Sequence, residues 1–118
     1  MQFDRFTIAL LVRGPNAGHI DEATRNALQD AHLSHLADLH EARHLLAAGP
    51  LVSGNDDELL RGLSILNVEP ERARALKEAD AAVRAGVFSV QVLPWMVPAG
   101  AVSFSPTRFP RSMAEADS

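Results

Sequence analysis

The spacing of apolar residues switches along this chain from period two to period 3.6 and back, twice over. Each switch falls at a cluster of turn-forming residues. That ordering restricts the fold more than any single residue does. Phe3 to Val12 alternates as a strand, with Phe6, Ile8, Leu10 and Val12 on one face and Thr7, Ala9 and Leu11 on the other. The run Arg13-Gly14-Pro15-Asn16-Ala17-Gly18 ends it. Asp21 is the expected N-cap of a helix reaching about Ala42 or His44, and Asp21 and Glu22 complement the helix dipole. Leu45 to Val52 reads as a second strand, bent or at an edge because Gly49-Pro50 lies inside it. Ser53 to Asp57 reads as a turn and Leu60 to Val68 as a third strand, completing a hairpin. Pro70 opens a second helix that runs to about Asp80. A short helical segment to Gly86 follows, and Val87 to Trp95 closes the pattern as a fourth strand.

The order β-α-β-β-α-β predicts an α+β, ferredoxin-like fold, a four-stranded antiparallel sheet with two helices on one face. Residues 1–96 form that domain and residues 97–118 a Pro-rich tail. Pro98, Pro106 and Pro110 predict an extended tail without regular structure, with Phe104 and Phe109 as docking points and Arg111 to Ser118 loose. Two helices on one face leave the other face bare, and neither residue set of the first strand is polar enough to meet water. A second copy is therefore the expected cover, giving a homodimer through the sheet face. The alternative cover is the tail.

Composition narrows the function classes. The chain has 118 residues, 47% apolar and 22% charged, which suits one domain with its own core. It has no cysteine, which excludes disulfides, thiolate chemistry and cysteine-ligated zinc. Net charge is −4 with acids and bases interleaved, so the basic footprint of a nucleic-acid binder is missing. Apolar runs such as Ile8–Val12 fall far short of the roughly 20 residues that span a bilayer. The segment Met1 to Arg5 lacks the charge and apolar order of a signal peptide. A cytoplasmic protein, without membrane or nucleic-acid partners, is the expectation.

Helical wheels place ionisable groups on the inward faces. On the first helix Leu28, Leu36, Leu39 and Leu46 form a stripe that includes His32 and His35, with His40 and His44 on its flank. On the second, Ala73, Leu76, Ala79 and Val83 form a stripe that includes Asp80. A buried imidazole and a buried carboxylate each need a partner. If they meet, His32 becomes an imidazole suited to general acid–base work, with Asp80 tuning it. The same pattern is met by a purely structural pair. The His40 and His44 spacing suits zinc, but no H-E-x-x-H motif accompanies it, so solvated histidines are the simpler reading.

The stretch from His32-Leu33-Ser34-His35-Leu36-Ala37-Asp38-Leu39-His40-Glu41 through Gly49-Pro50-Leu51 resembles the signature helix and strand of the YciI-like (YCII-related) family. So do Ala73 to Asp80, Val83 to Phe88 and Pro94-Trp95, in register, and the resemblance covers about residues 3 to 96. It implies a dimeric α+β barrel, with His32 and Asp80 at the positions of the family's proposed active-site pair. One branch resembles a dehydrochlorinase acting on a chlorinated hydroxyhydroquinone, and related barrels act on activated ring compounds. This chain departs from many relatives at three places, with Gln29 in place of an arginine, Ala81 in place of a proline and Arg43 in place of a glycine.

Together these readings predict a small-molecule enzyme without cofactor or metal, performing elimination or isomerisation on an activated ring compound. His32 and Asp80 are the expected catalytic residues, and His35 and Trp95 the expected pocket lining. The competing reading is a non-catalytic dimeric ligand-binding or interaction module.

Overall fold

In the computed structural model, which describes residues 1–52 and 59–118, β1 (Phe3–Arg13) lies inside a four-stranded sheet of order β2-β3-β1-β4. The other strands are β2 (Leu45–Pro50), β3 (Leu60–Leu66) and β4 (Phe88–Pro98), and all pairings are antiparallel. The helices are α1 (Glu22–Glu41), α2 (Pro70–Glu78), α3 (Ala81–Arg84) and α4 (Met113–Ala116). This is the expected ferredoxin-like arrangement. The turn expected at Ser53 to Asp57 lies outside the described residues.

Register decides which face of β1 is covered. Thr7 pairs with Leu66 and Ala9 with Ser64, and all four are buried. Val90 and Val92, opposite Leu11 and Ala9 on β4, share that face and pack on the core. Leu36 and Leu39 of α1 and Ala73 of α2 close over it, so the Thr7/Ala9/Leu11 face is the one beneath the helices. The alternate positions, Phe6, Ile8, Leu10, Ile65 and Leu93, point the other way by register, and Leu93 remains 46% exposed.

Local chemistry explains the element ends. Asp21 caps α1 by accepting from the Thr24 N–H at 2.7 Å. Past the helix Arg43 takes φ 67°, a left-handed conformation in which glycine is the usual residue. The turn after β1 is clamped onto the α3–β4 junction by Gly14 N–H to Val87 O (2.8 Å) and Asn16 N–H to Gly86 O (2.9 Å). Position 14 must be glycine, because a Cβ there would stand 2.2 Å from the Gly86 carbonyl oxygen.

Three expectations about the ends of elements are corrected. β4 continues through Pro94 and ends at Pro98, past the anticipated stop at Trp95. It is an edge strand, where a missing N–H need not break a ladder. The tail also contains a regular element, α4, capped by Ser112 accepting from the Glu115 N–H. Nor is the stretch from Arg111 loose. The Arg111 guanidinium pairs with Asp38 at 2.8 Å and Glu41 at 2.9 Å on α1, and the Met113 N–H donates to Asp30.

Candidate active site

His32 lies in the middle of α1, and Asp80 lies where the second helical region breaks. α2 ends at Glu78, and Asp80 has extended backbone (φ −66°, ψ 131°) as the N-cap of α3. Its Oδ1 accepts from the Ala82 N–H at 2.8 Å. That leaves Oδ2 to accept from His32 Nδ1, 2.5 Å away. Both groups are buried, Asp80 completely. The carboxylate fixes the ring's tautomer, because Nδ1 must carry the hydrogen it donates. The lone pair of the neutral imidazole is then on Nε2. Among the described residues no buried side-chain nitrogen or oxygen lacks a hydrogen-bond partner. Nε2 has no such partner, so it is reached by solvent.

The inward face of α2 differs from the expected stripe. Ala73, Lys77 and Asp80 are buried whereas Ala79 is exposed. Asp80 faces inward as its place on the wheel requires, in line with Ala73 and Lys77 at i, i+4 and i+7. Lys77 is fully buried and donates from Nζ to the Ser64 hydroxyl at 3.1 Å. Burial pushes its ammonium down to about 8, against the opposing pull of the Asp80 carboxylate. Burial alone would raise the Asp80 carboxyl. The hydrogen bond and charge of His32, the Ala82 N–H and the field of His35 outweigh it and hold Asp80 below the usual carboxylate range.

A cavity of about 400 Å³ opens beside His32, of a size that holds a single-ring compound. Its wall includes His32, Ser64, Phe88, Phe109, Pro110 and Met113. Phe88 stands 5.3 Å from the His32 ring, centroid to centroid. The wall is therefore built from α1, from the inner face of the sheet and from the tail.

The other anticipated site residues are placed elsewhere. His35 makes a 2.8 Å hydrogen bond from Nε2 to the Leu76 carbonyl, tying α1 to α2, and is not among the residues lining this cavity. Trp95 packs on Phe6 at 5.9 Å and borders a separate hollow with Arg5 and Pro70. His40 is stacked on Phe109 at 4.1 Å and accepts from the Thr107 N–H. It anchors the tail.

Sequence reasoning missed Ser64, Lys77 and the tail's part of the wall. One signal for Lys77 was present, since it is the only lysine in a chain with ten arginines. Ser64, on a strand between Leu63 and Ile65, gave no comparable cue.

A four-stranded antiparallel sheet with helices over one face and a buried His–Asp pair at a cavity defines a ferredoxin-like α+β protein. Residues 8–96 match the YCII-related domain, and the chain belongs to that family. Among solved structures it is similar to the 5-chloro-2-hydroxyhydroquinone dehydrochlorinase TftG of Burkholderia phenoliruptrix, determined in complex with 2,5-dihydroxybenzoquinone. That likeness has a TM-score of 0.52 at 23% identity, covering 77% of this chain and 92% of that one. It is also similar to a conserved protein of unknown function from Bacteroides thetaiotaomicron, described as a possible oxidoreductase (TM-score 0.49, 10% identity, 80% and 98% covered). At these identities the likeness concerns the fold. No curated protein matches the sequence.

Proposed function

We propose that this chain is a small-molecule enzyme in which His32 moves a proton at a bound ring compound and Asp80 orients and electrostatically supports it. The observation that carries the reading is an imidazole tied at Nδ1 to a buried carboxylate, with its Nε2 reached by solvent and its ring lining a cavity of about 400 Å³. A neutral Nε2 accepts a proton from an acidic C–H or O–H, and Asp80 stabilises the imidazolium that forms. The electron pair left on the substrate then either moves within the ring system and takes the proton back from His32 at another atom, an isomerisation, or expels a leaving group, an elimination. The dehydrochlorination named for the structural relative is of the second kind, and 2,5-dihydroxybenzoquinone is the natural first ligand to try. The working unit we propose is a homodimer closed through the outer sheet face.

Elimination and isomerisation share proton abstraction, so deuterium exchange tests both. Enolisable ring compounds, including hydroxyhydroquinones and their chlorinated forms, are incubated in D₂O with wild type and with His32→Ala. Wild type should accelerate exchange or chloride release, and H32A should lose about 10²- to 10⁴-fold of that rate, the usual worth of a general base. Equal rates in the two proteins, both folded, would remove His32 from the chemistry.

A further inference from the structure

Behind the cavity wall stands a second polar pair that the acid–base reading leaves unused. Ser64, only 2% exposed, lines the same cavity as His32, and Lys77, wholly buried, donates to its hydroxyl oxygen. An ammonium has donors only, so the Ser64 oxygen must accept from it. The serine's own hydrogen is then left to donate elsewhere. We infer that Ser64, backed by Lys77, is an anion-holding subsite that takes the ionised oxygen of a phenolic or enolic ring substrate opposite His32.

The charges around the pair fit this role. The charged group acting on Lys77 is Asp80 at the α2–α3 break, which itself lies in the field of His32 and His35 from α1. His32, Arg61 of β3 and Asp117 of the tail line the same cavity as Ser64. Asp80 is already engaged at both oxygens, by His32 and by the Ala82 N–H, and its single negative charge balances Lys77 when His32 is neutral. Once His32 takes a proton, the cluster carries one net positive charge. The substrate at that moment carries the matching negative charge. The C–H or O–H bond breaks, its proton goes to Nε2, and its electron pair delocalises onto a ring oxygen that Ser64 can hydrogen-bond. Donors aimed at a developing oxyanion in a site shielded from water are a large source of rate acceleration. The inference rests on the catalytic reading of His32 and adds the substrate class, planar ring compounds with an acidic hydroxyl.

The test compares 2,5-dihydroxybenzoquinone, an enolic acid ionised at neutral pH, with its neutral ether 2,5-dimethoxybenzoquinone. Both are titrated calorimetrically into wild type, Lys77→Met, Ser64→Ala and H32A, with thermal melts confirming that each is folded. Wild type should prefer the ionised compound, and K77M and S64A should each lose about tenfold or more of its affinity while binding of the ether changes little. A readout that needs no substitution comes from the single lysine. Isotopically labelled lysine gives one side-chain signal, whose titration near pH 8 should move upward when the anion is bound. Affinity for the anion should also fall in wild type as pH rises through about 8, and stay flat in K77M. An unmoved Lys77 titration, a preference for the ionised compound that survives K77M, or no binding of either compound by wild type each overturns the subsite. The two readings fail separately. Loss of exchange in H32A with intact anion preference in K77M retains the base and discards the subsite. The reverse discards the base.

Discussion

Asp80 and Lys77 stand three residues apart and shape opposite ends of the pH–stability profile. The Asp80 carboxyl is held below its ordinary range, so its stabilisation is complete above about pH 4, the unfolded value, and is lost as pH falls through the folded one. Lys77 acts in the other direction. Below about pH 8 the fold carries the full cost of a buried ammonium. Between about pH 8 and 10.5 the unfolded chain still binds the proton and the folded one has released it, so stability rises with pH. The gain should be on the order of 3 kcal/mol across that window. The chain has neither cysteine nor tyrosine to mask it. Urea denaturation from pH 7 to 10.5 should show the rise in wild type and its absence in K77M. A wild-type profile that falls over that window would mean that Lys77 is not buried as described. The His–Asp half of the site was legible because an imidazole or a carboxylate on an apolar stripe has to be partnered. The Ser–Lys half was not, because lysine on a short helix ordinarily reads as a solvent-facing residue and its burial follows from how α2 packs across β1 and β4, with Nζ reaching over to Ser64 of β3.

At the scale of elements, the order and type of all four strands and the two main helices could be read from periodicity, and their ends could not. β4 extends to Pro98 because pairing with β1 persists through Pro94, which is opposite Thr7, and this is a tertiary fact that a proline conceals. α4 is too short to show a period, and it is held by contacts to α1 that lie far away in sequence. The Arg43 departure was legible, and the structure puts that non-glycine residue in left-handed backbone. Arg43→Gly should therefore stabilise the protein, by about 1 kcal/mol, since a side chain in that conformation costs roughly 1–2 kcal/mol, part of which is returned as glycine's greater unfolded freedom. A thermal melt reads the change directly, and a lower midpoint for R43G would contradict the assignment. Arg111→Ala tests the tail. Exposed ion pairs contribute little to global stability, on the order of 1 kcal/mol or less. The expected effect is local, namely faster amide exchange at Met113 and weaker ligand affinity, because Pro110 and Met113 belong to the cavity wall.

For the whole molecule the unresolved demand is the outer sheet face. The tail meets part of it, for Phe104 packs edge-on against Phe6 at 5.4 Å, but Leu93, opposite Ile8 on the same face, keeps 46% of its surface exposed. A contiguous apolar face of this kind favours association, and a two-fold pairing of such sheets would bury it on both copies at once. Light scattering in line with size exclusion should then give twice the 12.7 kDa chain mass. Leu93→Glu places a charge on the proposed pairing surface, on edge strand β4, and should yield monomers with a lower, no longer concentration-dependent melting midpoint. The cavity beside His32 lies between α1 and the opposite face of the sheet, so L93E monomers that remain folded should still bind 2,5-dihydroxybenzoquinone if wild type does. A wild type that is monomeric at about 100 μM, where an interface of standard size (roughly 800 Å² per partner) ordinarily holds, would leave the outer face as a surface without a second copy.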